Sequence, residues 1–438
     1  MLCVSTFSIF SGRRLAAAAS VAAVSVFGGL SVKSQTSNMI PERAIVLTGD
    51  VSAVHDGVVA VLYNNPEFEF HDPSDPRFLF LDRKGTIALG IGGYVYASVS
   101  CDFKGSIDGP QFVTYDIPVP ADPARRSGLQ FDASHSTVFL QLAGHSDRLG
   151  TYSAYVQTNF SGGKGGSHDL RLKQAYVTVG NVTVGLARST FVDPAAPPDL
   201  DTQGPGARLS RKNILVRYSV GLGRDWQIGV GAESPASASY TVADGRNRPI
   251  TQRVPDFPAY VQYGWGGQSH LRLSGMVRTL SYRDLVSGTN RYATGWGVQL
   301  SGQAEIGRSV MCYYEAYYGR GIASYVNDLE GNGYDLVSRG GDSGRMKAPG
   351  VSGLAGGLKW DFCKRAYASA SYGLLKLYGG ETAGADAFGR SSYLDCNLVY
   401  TIFPDCQLGV EYIFGNRFNQ NGRHSKANRL MAAIKYSF

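Results

Sequence analysis

Four tryptophans, seven histidines and six cysteines in 438 residues leave little material for several kinds of chemistry. The histidines are His55, His71, His135, His145, His168, His270 and His424, and none forms an HExxH motif or a close metal cluster. Cysteine shows no CxxC or metal-ligand spacing, and Cys312 and Cys396 lie inside strand patterns, where the thiol acts as a small hydrophobe. A single bridge between Cys363 and Cys406 is conceivable, but Cys101, Cys312, Cys363, Cys396 and Cys406 are an odd set once Cys3 is removed with a leader. Hydrolytic catalysis would need a nucleophile, a His and an orienting acid within hydrogen-bond reach. His270 and Ser274 share a strand face, but a rise of about 3.3 Å per residue holds them too far apart. The run Gly162-Gly163-Lys164-Gly165-Gly166-Ser167 lacks phosphate-loop spacing and reads as an external loop. Neither an enzyme, a cofactor nor a metal is expected.

Long apolar runs are also scarce. A membrane helix needs roughly 20 apolar residues, and the one candidate is Leu15–Leu30, preceded by Arg13 and Arg14 and followed by Val32-Lys33-Ser34. That order of basic, apolar and small residues is a secretory signal peptide over 1–34, the alternative being a single anchor. Its removal takes away three bases and no acid from a formal net charge of +7. The pI near 9.0 does not indicate a nucleic-acid partner, because the bases are not clustered and the chain is exported.

What is abundant is glycine (55), tyrosine (26) and phenylalanine (20), with 43% hydrophobic residues and yet a mean hydropathy of −0.12. A wall that alternates apolar and polar residues produces that average while suiting lipid. Residues 35–85 stand apart. Ile40, Ala44, Leu47, Val51, Val54, Val58 and Val61 keep a heptad spacing, yet Gly49, Gly57 and the valines are poor helix formers. The segment reads as a short periplasmic extension, either a coiled coil or an irregular arm, ending in a Pro-rich linker over 66–77.

From Thr86 the pattern becomes short alternating strands, about sixteen of them. They fall near 86–103, 129–143, 149–160, 169–179, 182–190, 213–221, 225–233, 257–265, 268–283, 291–306, 309–320, 351–361, 365–378, 390–402, 405–415 and 428–438. Two-residue connections such as Gly180-Asn181, Gly266-Gly267 and Pro404-Asp405 alternate with long ones such as 104–128, 191–212 and 321–350. Tight periplasmic turns and long outer loops require that alternation. The last strand places Leu430, Ala432, Ile434, Tyr436 and Phe438 on one face, and its terminal aromatic is similar to the insertion signal of bacterial barrels. The expected fold is all-β: a transmembrane antiparallel barrel over 86–438, in the outer membrane, in contact with lipid and lipopolysaccharide.

Alternation also fixes which residues face the lumen. Inward bases are Arg171, Lys173, Arg217, Arg272, Arg278, Lys359, Arg429 and Lys435, with Arg188 a further candidate; inward acids are Glu233, Glu305, Asp395 and Glu411. An excess of lumenal bases lowers the barrier for anions. The third external loop, 191–212, is stiffened by Pro194, Pro197 and Pro198 and carries Asp193, Asp199, Asp201, Arg208, Arg211 and Lys212. In general porins that loop folds inward as a constriction, and Arg217, just after it, is the first candidate for an anion contact, with Arg188 second.

Ala175-Tyr176-Val177-Thr178-Val179-Gly180, Val184-Gly185, Ser189-Thr190-Phe191 and Gln203-Gly204-Pro205 together resemble the DcaP-like trimeric porins. Asp75-Pro76-Arg77-Phe78-Leu79-Phe80, Thr114-Tyr115-Asp116-Ile117-Pro118-Val119-Pro120 and Tyr260-Val261-Gln262-Tyr263-Gly264-Trp265 look like the Bacteroidetes branch of that family. The resemblance covers most of 66–438 and implies a homotrimer, sixteen strands, a helical N-terminal extension and uptake of small organic anions such as dicarboxylates. Arg188 departs from it, standing where relatives carry Trp. The reading is a passive porin for small, preferentially anionic solutes; the alternative is a structural or adhesive barrel with a closed lumen.

Overall fold

The computed structural model describes residues 40–41, 44–49, 54–63, 72–73, 75–163, 167–235, 238–242, 245–339 and 345–438. The signal segment and much of the linker lie outside these residues. Sixteen antiparallel strands close into a barrel. They are β1 (Ile87–Phe103), β2 in two parts (Ser127–Asp132 and Thr137–Ser146), β3 (Gly150–Asn159), β4 (Arg171–Val179), β5 (Val182–Arg188), β6 (Lys212–Leu222), β7 (Trp226–Glu233) and β8 (Phe257–Trp265). There follow β9 (Ser269–Asp284), β10 (Thr289–Ile306), β11 (Val310–Arg320), β12 (Gly350–Cys363), β13 (Ala366–Tyr378), β14 (Phe388–Phe403), β15 (Cys406–Asn419) and β16 (His424–Ser437). Each pairs with its sequence neighbour, and β16 closes on β1 from Asn428↔Phe103 to Ser437↔Tyr94. Phe438 and Gly93 then exchange two backbone hydrogen bonds, at 2.8 and 2.9 Å.

The period of two is what puts one face in lipid. On β9, Leu271, Leu273 and Val277 point outward while Arg272, Ser274, Met276 and Arg278 are buried. On β10, Trp296, Val298 and Leu300 are outside, with Gln299 and Ser301 inside. Trp226, Tyr263 and Trp265 stack beside the short turns after β6 and β8, as expected of an interfacial aromatic belt. The turn between β8 and β9 is possible because Gly266 and Gly267 both take positive φ, at 43° and 78°.

Two features differ from the sequence reading. The second strand is broken at residues 133–136, its first part pairing with the outer half of β1 and its second with the inner half. Opposite the break, Ser136 accepts from the Tyr96 N–H at 3.0 Å and donates to its carbonyl at 3.1 Å, so the gap leaves no orphaned backbone group there. The heptad seam is not one helix. Its first part is a strand, Ile45–Thr48, parallel to a second strand, Phe78–Leu81, that extends the sheet beside β1. Its last part is an eight-residue helix, α1 (Asp56–Tyr63). Gly49, at φ 84°, follows the strand, and a β-carbon there would come within 2.6 Å of Leu81. Val58, Val59 and Leu62 of α1 pack on Leu79, Leu81, Ala88 and Ala143. These valines are therefore buried against the barrel, and Val51 lies outside the described residues. Cys363 and Cys406 are free thiols.

Candidate functional site: the charged lumen

The third external loop, residues 189–211, enters the barrel and crosses it. Its entry is fixed by the Thr190 N–H, which donates to Glu233 of β7 at 2.6 Å. Asp193 then meets β9 and β10, accepting from His270 Nε2 at 3.1 Å and Ser301 Oγ at 2.7 Å. Burial alone would raise the Asp193 carboxyl, but the Arg272 guanidinium and the His270 hydrogen bond outweigh it and hold it below the ordinary carboxylate range. Farther on, the Pro198 carbonyl accepts from Ser369 of β13 and Asn397 of β14, at 2.6 and 2.9 Å. The Leu200 and Asp201 N–H groups donate to Glu411 of β15, at 3.1 and 2.9 Å. Returning, the Leu209 N–H donates to Glu315 of β11 at 2.6 Å. Side-chain acids of the wall thus satisfy loop N–H groups, which explains why a loop can lie inside a barrel. Asp199 turns back on its own loop, accepting from the Thr202 N–H at 2.6 Å.

Other loops join it. The Phe112 N–H of the first loop donates to Asp201 at 2.9 Å. Thr114 donates to Asp328 of the sixth loop, a residue that burial pushes up to about 7. Asp201 is likewise pushed up to about 7 by burial, in spite of Arg429 nearby. The fourth and sixth loops pair through Tyr240–Thr241, Leu336–Ser338 and Met346–Lys347. That length of the sixth loop, 321–349, reads from sequence as a surface connection; instead Ile322, Tyr325, Val326 and Leu336 are fully buried.

This interlocking corrects the role of several inward bases. Arg278 does face inward, but it lines no solute path: its side chain is 0% exposed, held by Asp256 and Asp335 at 3.2 Å each and by the Gly321 carbonyl at 3.0 Å. Arg429 is equally buried, binding Asp102 at 2.6 Å and the Pro110 carbonyl at 2.7 Å. Arg272 donates to Gln262 at 2.8 Å and to the Val192 carbonyl at 3.1 Å, with its guanidinium over Tyr260. Arg208 lies 3.5 Å from Glu315. These four clamp loops to the wall. Lys359, near the inner end of β12, pairs with Asp361 at 2.8 Å on a solvent-reached surface.

Apart from Lys435 of β16, whose ammonium lies over the Tyr94 ring, the remaining bases gather on β4, β5 and β6. Arg188, at the end of β5, is buried and lies 3.2 Å from Asp72 of the N-terminal arm. Lys212, opening β6, is 3.4 Å from the same carboxylate. Arg217 faces inward and donates to the Arg188 carbonyl at 3.4 Å. Between β3 and β4 the register slips after Gln157, so that Lys173 is an extra residue between Gln174 and Leu172. This bulge lets Lys173 join the inward Gln174, and its charged neighbours are Lys212, Arg171, Asp72 and Glu330. Arg171 is exposed, opposite the inward Asn159. Arg211, at the loop's exit, pairs with Glu330 and donates to Asn213 at 3.0 Å. Sequence reasoning missed Asp72 and Glu315 as parts of the lumen's charge system, and it named Lys212 only as a charge of the third loop. Lys212 opens β6 rather than ending the loop; Asp72, far away in a linker, carried no sequence signal. Among the described residues no group of three or more His, Cys, Asp or Glu side chains is arranged to hold a metal.

Known proteins place this architecture. The family model of the DcaP outer membrane protein matches residues 86–438. Among solved structures, the outer membrane channel DcaP of Acinetobacter baumannii superimposes with a TM-score of 0.69 at 21% identity, covering 82% of this chain and 99% of that one. The anion-selective porin from Comamonas acidovorans gives a TM-score of 0.52 at 12% identity, covering 80% and 100%. No curated protein matches this chain. With the family model spanning the whole barrel and the fold shared with these channels, the chain belongs to the DcaP outer membrane protein family and is a porin of the outer membrane, not an enzyme.

Proposed function

We propose that this porin passes small hydrophilic solutes with a preference for organic anions, dicarboxylates among them. The observation that supports this is the unequal charge of the β4–β6 wall. Arg171, Lys173, Arg188, Lys212 and Arg217 converge there, and among the described residues Asp72 pairs with Arg188 and Lys212 while Asp72 and Glu330 neighbour Lys173. A charge of one sign between low-dielectric walls is focused and raises the local concentration of counter-ions. The Comamonas relative is described as anion-selective; the preference proposed here rests on the wall, not on that likeness. Homotrimeric assembly in contact with lipid and lipopolysaccharide completes the reading.

Reconstitution into planar bilayers under a potassium chloride gradient tests it. Stepwise conductance with a zero-current potential of anion-selective sign is the expected result. A cation-selective channel would sink the preference. The inward packing of the first, third and sixth loops favours a second reading, a barrel with a closed lumen. A folded barrel that stays electrically silent would establish that one instead. A heat-modifiable gel species near three times the monomer mass tests the trimer, and monomers at every detergent concentration would refute it.

A further inference from the structure

The Asp72 carboxylate sits in a cradle built by four adjacent strands. Gln157 of β3 and Lys212 of β6 donate to its Oδ1, at 3.2 and 3.4 Å. Gln174 of β4 and Arg188 of β5 donate to its Oδ2, both at 3.2 Å. Among the described residues, each oxygen therefore receives one neutral amide and one cation. Gln174 also donates to Gln157 Oε1 at 2.9 Å, which fixes the direction of both amides. Gln157, Gln174 and Arg188 are 3%, 2% and 2% exposed, so the donors are buried and oriented by the wall itself. Convergent amides and cations at a buried point are the chemistry that recognises a carboxylate.

The occupant is not part of the barrel. Asp72 belongs to the arm, which is fastened on the far side of it by the Arg77–Asp405 ion pair at 3.0 Å and by the pairing of Phe78–Leu81 with β1. A cavity of 140 Å³ adjoins the carboxylate, walled by Tyr94, Lys435 and the arm. It has the room of a few waters, enough for a small carboxylate to approach Asp72.

We propose that the cradle of Gln157, Gln174, Arg188 and Lys212 is a carboxylate-binding site of the pore, and that Asp72 is its tethered occupant, which a permeating carboxylate displaces. The proposal rests on the anion preference argued above. A tethered ligand competes at a high effective concentration. The affinity shown to a free carboxylate is reduced by the fraction of time the cradle is open. The arm thereby sets how strongly the channel holds its solute, and Arg188 is the residue through which it does so.

The test is block of the chloride current by succinate in planar bilayers, for wild type, Asp72→Asn and Asp72→Ala. If the cradle is open about one tenth of the time, the succinate concentration giving half block falls about tenfold in both variants. Adding Arg188→Gln to Asp72→Asn should abolish the gain. Heat-modifiable migration identifies folded barrels, and either neutral variant that folds decides the matter. Unchanged half block in a folded variant overturns the proposal. So does a changed chloride-to-potassium ratio without tighter succinate block, since that is a field effect with no site. In both of those outcomes an anion-selective wild type leaves the broader reading standing, whereas a cation-selective wild type removes both.

Discussion

Strands β4–β6 and strands β9–β16 both carry inward bases, and they use them differently. On the second wall the three arginines named from the sequence meet fixed partners: Arg272 the third loop, Arg278 the acids of the fourth and sixth loops, Arg429 Asp102 and the first loop. Those guanidiniums are structural cement. On the first wall bases outnumber acids among the described residues, with Arg171 exposed and Lys173 and Lys212 half-buried. A lumenal charge therefore cannot be counted from alternation alone. What matters is whether a loop has already neutralised it.

The largest effect that separates the walls is on stability. Arg278→Ala removes a 0% exposed cation and leaves Asp256 and Asp335 uncompensated. Breaking a buried ion pair from one side costs about 3–5 kcal/mol. The temperature at which the folded gel species converts should drop markedly, while Arg171→Ala should leave it in place. Equal conversion temperatures would erase the distinction.

The second effect is pH dependence. Burial raises the carboxyls of Asp201 and Asp328 from 3.8 to about 7, so the folded loops hold protons that the unfolded chain has released. That contribution is fully present below 3.8 and is lost as pH rises through about 7. The conversion temperature should fall from pH 5 to pH 8, and Asp201→Asn should flatten the slope. A rise over the same interval contradicts the placement of these acids.

Arg217→Ala comes third. It leaves the loop clamps intact and should reduce anion preference without lowering the conversion temperature by more than a few degrees. The smallest effect is expected for Lys359→Ala, because an ion pair with 26% and 48% exposed side chains is worth about 0–1 kcal/mol. A large loss in either stability or selectivity there would show that the inner end of β12 carries more than its geometry suggests.

The strands were legible in the sequence because their signal is local. A period of two and glycine-bearing turns gave β8 as 257–265 and kept the rest within a few residues, apart from the break at 133–136, the end of β15 and the head of β16. The inward facing of Arg217, Arg272, Arg278 and Arg429 followed from the same period. What was not legible is non-local. Arg429 and Asp102 are 327 residues apart, and Arg188 and Asp72 are 116 apart. The bulge at Lys173 shifts one side chain without altering the composition around it. The heptad spacing at 40–61 is real but short, and β-branched residues with glycines let tertiary packing divide it between a strand and a helix.

The β4–β6 wall, not the total of inward bases, is proposed to carry the anion field. The zero-current potential of the triple variant Arg171→Ala, Lys173→Ala, Lys212→Ala, measured beside wild type in the same potassium chloride gradient, tests it most directly. The expected result is an anion-selective wild type and a variant in which that preference is abolished or reversed while the barrel still folds. A folded triple variant as anion-selective as wild type would contradict it.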